Sequence, residues 1–147
     1  MGNDFDKCAP LNRGLKMANT YTFYKTNSAH ILIIDDNALV LRNMKVLLDE
    51  RYSVSVAASA TQAYMAMEKR KPNLILLDYD MPEINGRDLY IQIKEKEEYK
   101  NIPIVFLTSA ADADIVQQLL SLRPAGYILK PVNAMNMMGV IENALRG

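Results

Sequence analysis

Five short apolar runs, separated by longer amphipathic stretches, constrain this chain more than any other feature. They are residues 30–34 (HILII), 53–57 (SVSVA), 74–77 (LILL), 104–107 (IVFL) and 127–129 (YIL). They are rich in β-branched residues and too short for helices, so they read as strands. Largely continuous rather than strictly alternating apolar character suits strands covered on both faces. The stretches between them carry apolar residues at helical spacing. Val40, Met44, Leu47 and Leu48 share one predicted face, and Leu89 and Ile93 share another. Ile115, Val116, Leu119 and Leu120 form a fourth helix, and Met137, Met138, Ile141 and Leu145 a fifth. Ser59 to Gln62 and Ser109 to Asp112 have the form of capping boxes, while Asn85 and Asn133 are predicted N-caps. Pro124 is expected to end the fourth helix. Five strand–helix units in succession predict a parallel sheet with helices on both faces. The methionines in the helices read as core filling rather than as a cofactor site.

Residues 1–29 have a different character. They are rich in Asn and Thr and show neither helical spacing nor clean alternation. Four basic residues stand against two acidic ones in this leader. It has no long apolar segment of the secretory type, and Asp6 breaks the myristoylation pattern. The expected division is a leader or linker over 1–29, flexible or acting as a docking arm through Tyr21, Phe23 and Tyr24, followed by one domain over 30–147. A chain of 147 residues is long enough to bury a single core without staples.

Composition removes several classes of function. Lys plus Arg and Asp plus Glu are both 17, which argues against a basic nucleic-acid-binding surface. No apolar run is long enough to span a membrane. One cysteine, Cys8, and one histidine, His30, exclude a Cys/His metal cage and a disulfide framework. This usage fits a reducing, cytoplasmic setting. Any metal must be a hard cation held by oxygen.

In a sheet of this kind the ligand site lies beyond the carboxyl ends of the strands. The first strand runs into Asp35 and Asp36, and the third into Asp78, with Asp80 two residues on. The fourth runs into Thr108 and Ser109, and the fifth into Lys130 and Pro131. With strand order 2-1-3-4-5, Asp35, Asp36 and Asp78 converge. Each feature alone has a plainer explanation: the acidic pair as a helix cap, Asp78 as a turn residue, Tyr127 as a strand aromatic. The conjunction is what points to chemistry. Three clustered carboxylates are unfavourable unless something compensates them, and Lys130 can neutralise one. A bound Mg²⁺ would offset much of the rest and would bring phosphate oxygens with it; Mn²⁺ could substitute. Lys130 and the Thr108 hydroxyl could then serve the other phosphate oxygens. Asp78 is the natural nucleophile, giving an acyl phosphate.

These residues resemble the receiver domain of two-component response regulators. The likeness covers about residues 30–146. Residues 31–37 (ILIIDDN) are similar to the family's acidic-pair motif, and 76–86 (LLDYDMPEING) to its phosphoacceptor motif. The resemblance implies a single doubly wound (βα)5 flavodoxin-like domain. It implies phosphorylation of Asp78 by a phosphohistidine of a sensor histidine kinase or phosphotransfer protein. It implies Mg²⁺ held directly by Asp36 and Asp78, by the main-chain carbonyl of Asp80, and through water by Asp35. It places Thr108 and Tyr127 in the switch positions and Lys130 in the closing position, before a cis peptide bond to Pro131. The expected output is a changed surface on the fourth helix, fifth strand and fifth helix, read by a downstream protein or output domain. A weak homodimer through that face is a further option. No direct nucleic-acid or membrane partner is implied for this chain.

The resemblance also has departures. Val132 stands where Phe is frequent, and Ser109 where Ala or Gly is usual. Ala110 and Asp80 occupy positions at which the family tunes dephosphorylation. His30, ahead of the first strand, reads as an unremarkable surface or edge residue. Two other functions fit parts of the pattern. Asp78-Tyr79-Asp80 matches the DxD of aspartyl-phosphate-forming phosphatases, but those carry it on the first strand. A phosphate-independent interaction module of the same fold would not need the full acid, Thr and Lys set. An FMN binder of this architecture would need a phosphate-cradling loop after the first strand, where acids stand instead.

Overall fold

A computed structural model describes residues 29–109 and 112–147. The leader, with Tyr21, Phe23 and Tyr24, therefore lies outside the described residues except for Ala29, and so does Ala110. The strands are β1 (His30–Ile34), β2 (Ser53–Ala57), β3 (Leu74–Asp78), β4 (Ile104–Thr108) and β5 (Gly126–Leu129). The helices are α1 (Ala38–Leu48), α2 (Ala60–Lys69), α3 (Gly86–Glu95), α4 (Ala113–Ser121) and α5 (Ala134–Arg146). The sheet is wholly parallel in the order β2-β1-β3-β4-β5.

The three central strands are buried along their whole length, as continuous apolar runs require. Strands β2 and β5 form the edges and are partly exposed. Alternate strand residues feed two cores. Leu32, Ile34, Ile75, Leu77 and Phe106 pack under α2, α3 and α4 with Ala63, Met67, Leu89, Ile93 and Leu119. Ile31, Ile33, Leu74, Leu76 and Val105 pack under α1 and α5 with Met44, Leu48, Met137 and Ile141. Met44, Met67 and Met137 are core filling, as expected.

Asn37, Ser59, Asn85 and Asn133 each cap a helix N-terminus by accepting from backbone N–H groups one turn on. Gln62 completes the Ser59 cap by accepting from the Ala58 N–H. The second expected box is displaced. Asp112, not Ser109, caps α4, accepting from the Asp114 N–H at 2.8 Å. A short acidic side chain directly ahead of the apolar spacing wins over a serine three residues earlier.

Three other expectations are corrected. In α1 the buried residues are Leu41, Met44 and Leu48, and Leu47 is exposed. Leu47 is one residue out of phase with the i, i+3, i+7 row that meets the sheet. In α4 only Leu119 is buried, and Leu120 is half exposed. His30 is 4% exposed and bonded at both ring nitrogens, to Ser53 Oγ at 3.0 Å and Ser55 Oγ at 2.9 Å. It belongs to β1, and the neighbouring edge strand covers it. Helix α4 ends at Ser121, shortly before Pro124, and Arg123 takes a left-handed φ of 56° in between.

Candidate acidic and phosphoacceptor site

The site forms where β1, β3, β4 and β5 end. Asp35 continues β1 by one residue, its N–H donating to the Ala57 carbonyl at 3.1 Å. That bond turns its side chain inward, and the residue has no solvent exposure. Asn37 holds it there, donating its N–H to Asp35 Oδ1 at 2.9 Å while its own side chain caps α1. Asp36 is exposed. Asp78 is the last residue of β3 and is 3% exposed. Because β1 and β3 are neighbours, the three acids converge, with one carboxylate oxygen of each within 4.8 Å of the others.

Lys130 follows β5. Its N–H donates to the Thr108 carbonyl at 2.8 Å, which fixes the point where the side chain turns into the site. Its Nζ lies 2.7 Å from Asp35 Oδ2 and 3.3 Å from Asp78 Oδ1. The lysine thus bridges two carboxylates, while its single charge can neutralise only one. Burial disfavours the ammonium, but the hydrogen bond to Asp35 and the charge of Asp78 outweigh it and hold its pKa above the ordinary lysine value. The Lys130–Pro131 peptide is cis, as the resemblance implies.

Asp78 is the strained member of the group. Burial, and then the Asp35 charge, push its pKa up to about 6, against the pull of Lys130 and of the Asp80 N–H. That N–H lies 3.3 Å from Asp78 Oδ1. Lys130 therefore leaves the acid cluster short of positive charge. The donor set is carboxylate oxygen alone, which fits a hard divalent cation. Both oxygens of Asp35 already have partners, in Lys130 and the Asn37 N–H.

The loop after β3 is held close to the acid. Gly86, the first residue of α3, donates its N–H to the Tyr79 carbonyl at 2.7 Å. A Cβ at position 86 would collide with the Asp78 carbonyl and lie 2.7 Å from Tyr79 Cα. In the sequence Gly86 is only a matching motif residue; its contact with the loop supplies the reason. Asn37 is a residue the sequence reading did not single out. An Asn between a strand and an amphipathic stretch is an N-cap signal that could have found it. Thr108 ends β4 fully buried, and Ser109 beyond it is exposed. Tyr127, on β5 opposite Phe106, is half-buried against the core under α2, α3 and α4. Asp80 is exposed beyond Asp78, and DxD sits on the third strand in chain order, away from the position a phosphatase of that type uses.

Fold and site together define a doubly wound α/β domain with an acid cluster, a closing lysine and a buried threonine at one end of the sheet. Residues 31–142 match the family model of the response regulator receiver domain, and the chain belongs to that family. It is 33% identical over 117 residues to the phosphate regulon transcriptional regulatory protein PhoB of Pseudomonas aeruginosa, covering 79% of this chain and 51% of that protein. It is 30% identical over 119 residues to the two-component response regulator ORR12 of Oryza sativa subsp. japonica, covering 79% of this chain and 98% of that one. A solved response regulator from Desulfuromonas acetoxidans superposes with a TM-score of 0.73 at 28% identity, over 80% of this chain and 97% of that one. Other relatives are longer: the chain spans 12% of the sensor histidine kinase TmoS of Ectopseudomonas mendocina. This chain is a receiver domain of two-component systems. No helix among the described residues is long and apolar enough to cross a membrane.

Proposed function

We propose that Asp78 accepts a phosphoryl group from a phosphohistidine of a sensor histidine kinase or phosphotransfer protein, in a Mg²⁺-dependent reaction. The observation that carries this reading is Lys130 Nζ, set between Asp35 and Asp78 inside a three-carboxylate cluster. A carboxylate oxygen of Asp78 attacks phosphorus, the phosphorus–nitrogen bond breaks, and the leaving imidazole takes up a proton. Asp36, Asp78 and the Asp80 carbonyl would hold the metal, with Asp35 acting through water. The ion would supply charge neutralisation at the phosphoryl oxygens.

Phosphorylation adds roughly −1.5 to −2 charge and three acceptor oxygens. Lys130 can pair with one oxygen, and the Thr108 hydroxyl can donate to another. Movement of Thr108 vacates space beside β5, and Tyr127 turns inward to occupy it. The surface of α4, β5 and α5 then changes, and a downstream protein or output domain that prefers one form reads a population shift. The setting is cytoplasmic, and the domain regulates rather than turning over substrate. Residues 1–29 serve as a leader or arm outside the 30–147 receiver.

The test is intact mass after incubation with a small acyl phosphate and Mg²⁺. One added phosphoryl group, absent from Asp78→Asn and from a chelator-treated sample, is the expected result. No addition to a folded wild-type protein would overturn the reading and favour a phosphate-independent interaction module.

A further inference from the structure

The α4 helix has an unusually thin footing. Its one fully buried side chain is Leu119, with Ile115 and Leu122 at the margin of the core and Leu120 half exposed. Its C-terminal end is held instead by polar contacts from a neighbouring helix. Tyr90, on α3 and 7% exposed, donates its hydroxyl to the Leu122 carbonyl at 2.9 Å and lies 3.3 Å from the Arg123 carbonyl. The Leu122 carbonyl, at the C-cap, is one of those that a helix end leaves without an intrahelical partner, and the Arg123 carbonyl lies one residue beyond it. Arg123 sits at φ 56°, a left-handed conformation that a residue with a Cβ holds only when its surroundings enforce it. Burial raises the Tyr90 pKa, so the hydroxyl keeps its proton and remains a donor.

Tyr90 is also connected towards the acids. Its ring lies 5.3 Å from Phe106, and Phe106 lies 5.4 Å from Tyr79 in an edge-on contact. Tyr79 directly follows Asp78, donates its N–H to the Leu107 carbonyl, and reaches Gln118 of α4 with its hydroxyl at 3.4 Å. Phe106 faces Tyr127 across β4 and β5. The three rings thus join the phosphoacceptor strand, the aromatic of the switch position and the end of α4.

We propose that Tyr90 is a latch on α4: its hydroxyl holds the Leu122 and Arg123 carbonyls, and its release frees the α4–β5 connection to take the position that phosphorylation selects. The latch itself is geometric; its link to phosphorylation rests on the function proposed for Asp78. Tyr90→Phe keeps the ring and removes only the donor.

Hydrogen exchange on the full chain tests it. Loss of one such hydrogen bond is expected to speed exchange over residues 113–125 about five-fold, with the central strands unchanged. Tyr64→Phe, which loses a hydroxyl bond to Gln92 on the exposed side, is the control and should leave 113–125 unaltered. In the second arm, beryllium fluoride with Mg²⁺ mimics the phosphoryl group. The response over 113–125 should be smaller in Tyr90→Phe than in wild type, because the segment is already released. Unchanged exchange over 113–125 would overturn the latch. So would acceleration shared with β1 and β3, an equal effect of Tyr64→Phe, or equal responses to beryllium fluoride. If the wild type takes up neither a phosphoryl group nor the mimic, the Asp78 reading fails, and the first comparison alone decides the latch.

Discussion

Lys130 Nζ lies 2.7 Å from Asp35 Oδ2 across 95 residues of sequence, and 3.3 Å from Asp78 Oδ1. Asp35 is wholly buried, and Lys130 retains 20% side-chain exposure. One ammonium is therefore shared by two carboxylates at the point where the fold closes.

Removing that ammonium should be expensive. Lys130→Met leaves buried negative charge without a partner and is expected to lower stability by about 2–4 kcal/mol in metal-free buffer. Urea titration measures it, and added Mg²⁺ should reduce the loss. A change no larger than that of the exposed Lys71→Met would show that Lys130 does not compensate the acids.

Asp78→Asn is expected to abolish phosphorylation and, without metal, to stabilise the fold. The folded pKa of Asp78 is raised to about 6 from an ordinary 3.8, so the folded chain holds the proton more tightly than the unfolded one. The penalty is absent below about 3.8, grows as pH rises, and is complete above about 6. The variant should be more stable by about 1–2 kcal/mol at pH 7.5, solvent at the mouth of the site screening the remainder. Thermal melts at pH 4 and pH 7.5 check this, and an equal gap at both values would refute it.

His30 should contribute the opposite slope. Burial, and then the Arg70 charge, lower its pKa below 6.5, against a hydrogen bond that the ring donates to the Ser53 backbone. Arg70 approaches through Ser53, donating to Ser53 Oγ at 2.9 Å. Between the lowered value and 6.5 the unfolded chain takes up a proton that the folded chain refuses. Stability therefore falls as pH drops below 6.5 into that window. In an Asp78→Asn background, where the opposing slope is gone, His30→Gln should flatten the fall between pH 7 and pH 5.5. Denaturant midpoints across that range supply the measurement.

Gly86→Ala tests how tightly the acid-bearing loop is packed. The new Cβ meets backbone atoms of Asp78 and Tyr79, which cannot swing away like a side-chain tip. The expected loss is about 1–3 kcal/mol, with slower phosphorylation of Asp78. A fully stable variant phosphorylated at the wild-type rate would show that the loop has room to shift.

Much of the fold and the acid positions could be read along the chain. The runs at 30–34, 74–77 and 104–107 became the three buried central strands. Asn85 and Asn133 marked helix starts correctly, because a cap bonds to backbone within one turn. Ser109 misled, because two candidate caps lay three residues apart and spacing alone did not rank them. His30 misled for another reason: its partners, Ser53 and Ser55, belong to a strand that pairs with it only after the chain crosses over.

The same division runs through the site. Strands, caps and the acids at strand exits follow from neighbours a few residues apart, so local pattern specifies them. The bridge from Lys130 to both Asp35 and Asp78, the outward turn of Leu47 and the grip of Tyr90 on Leu122 come from elsewhere. They depend on how each helix settles on the sheet and which strand lies beside which. Those relations join residues distant in sequence through packing, and no periodicity along the chain encodes them.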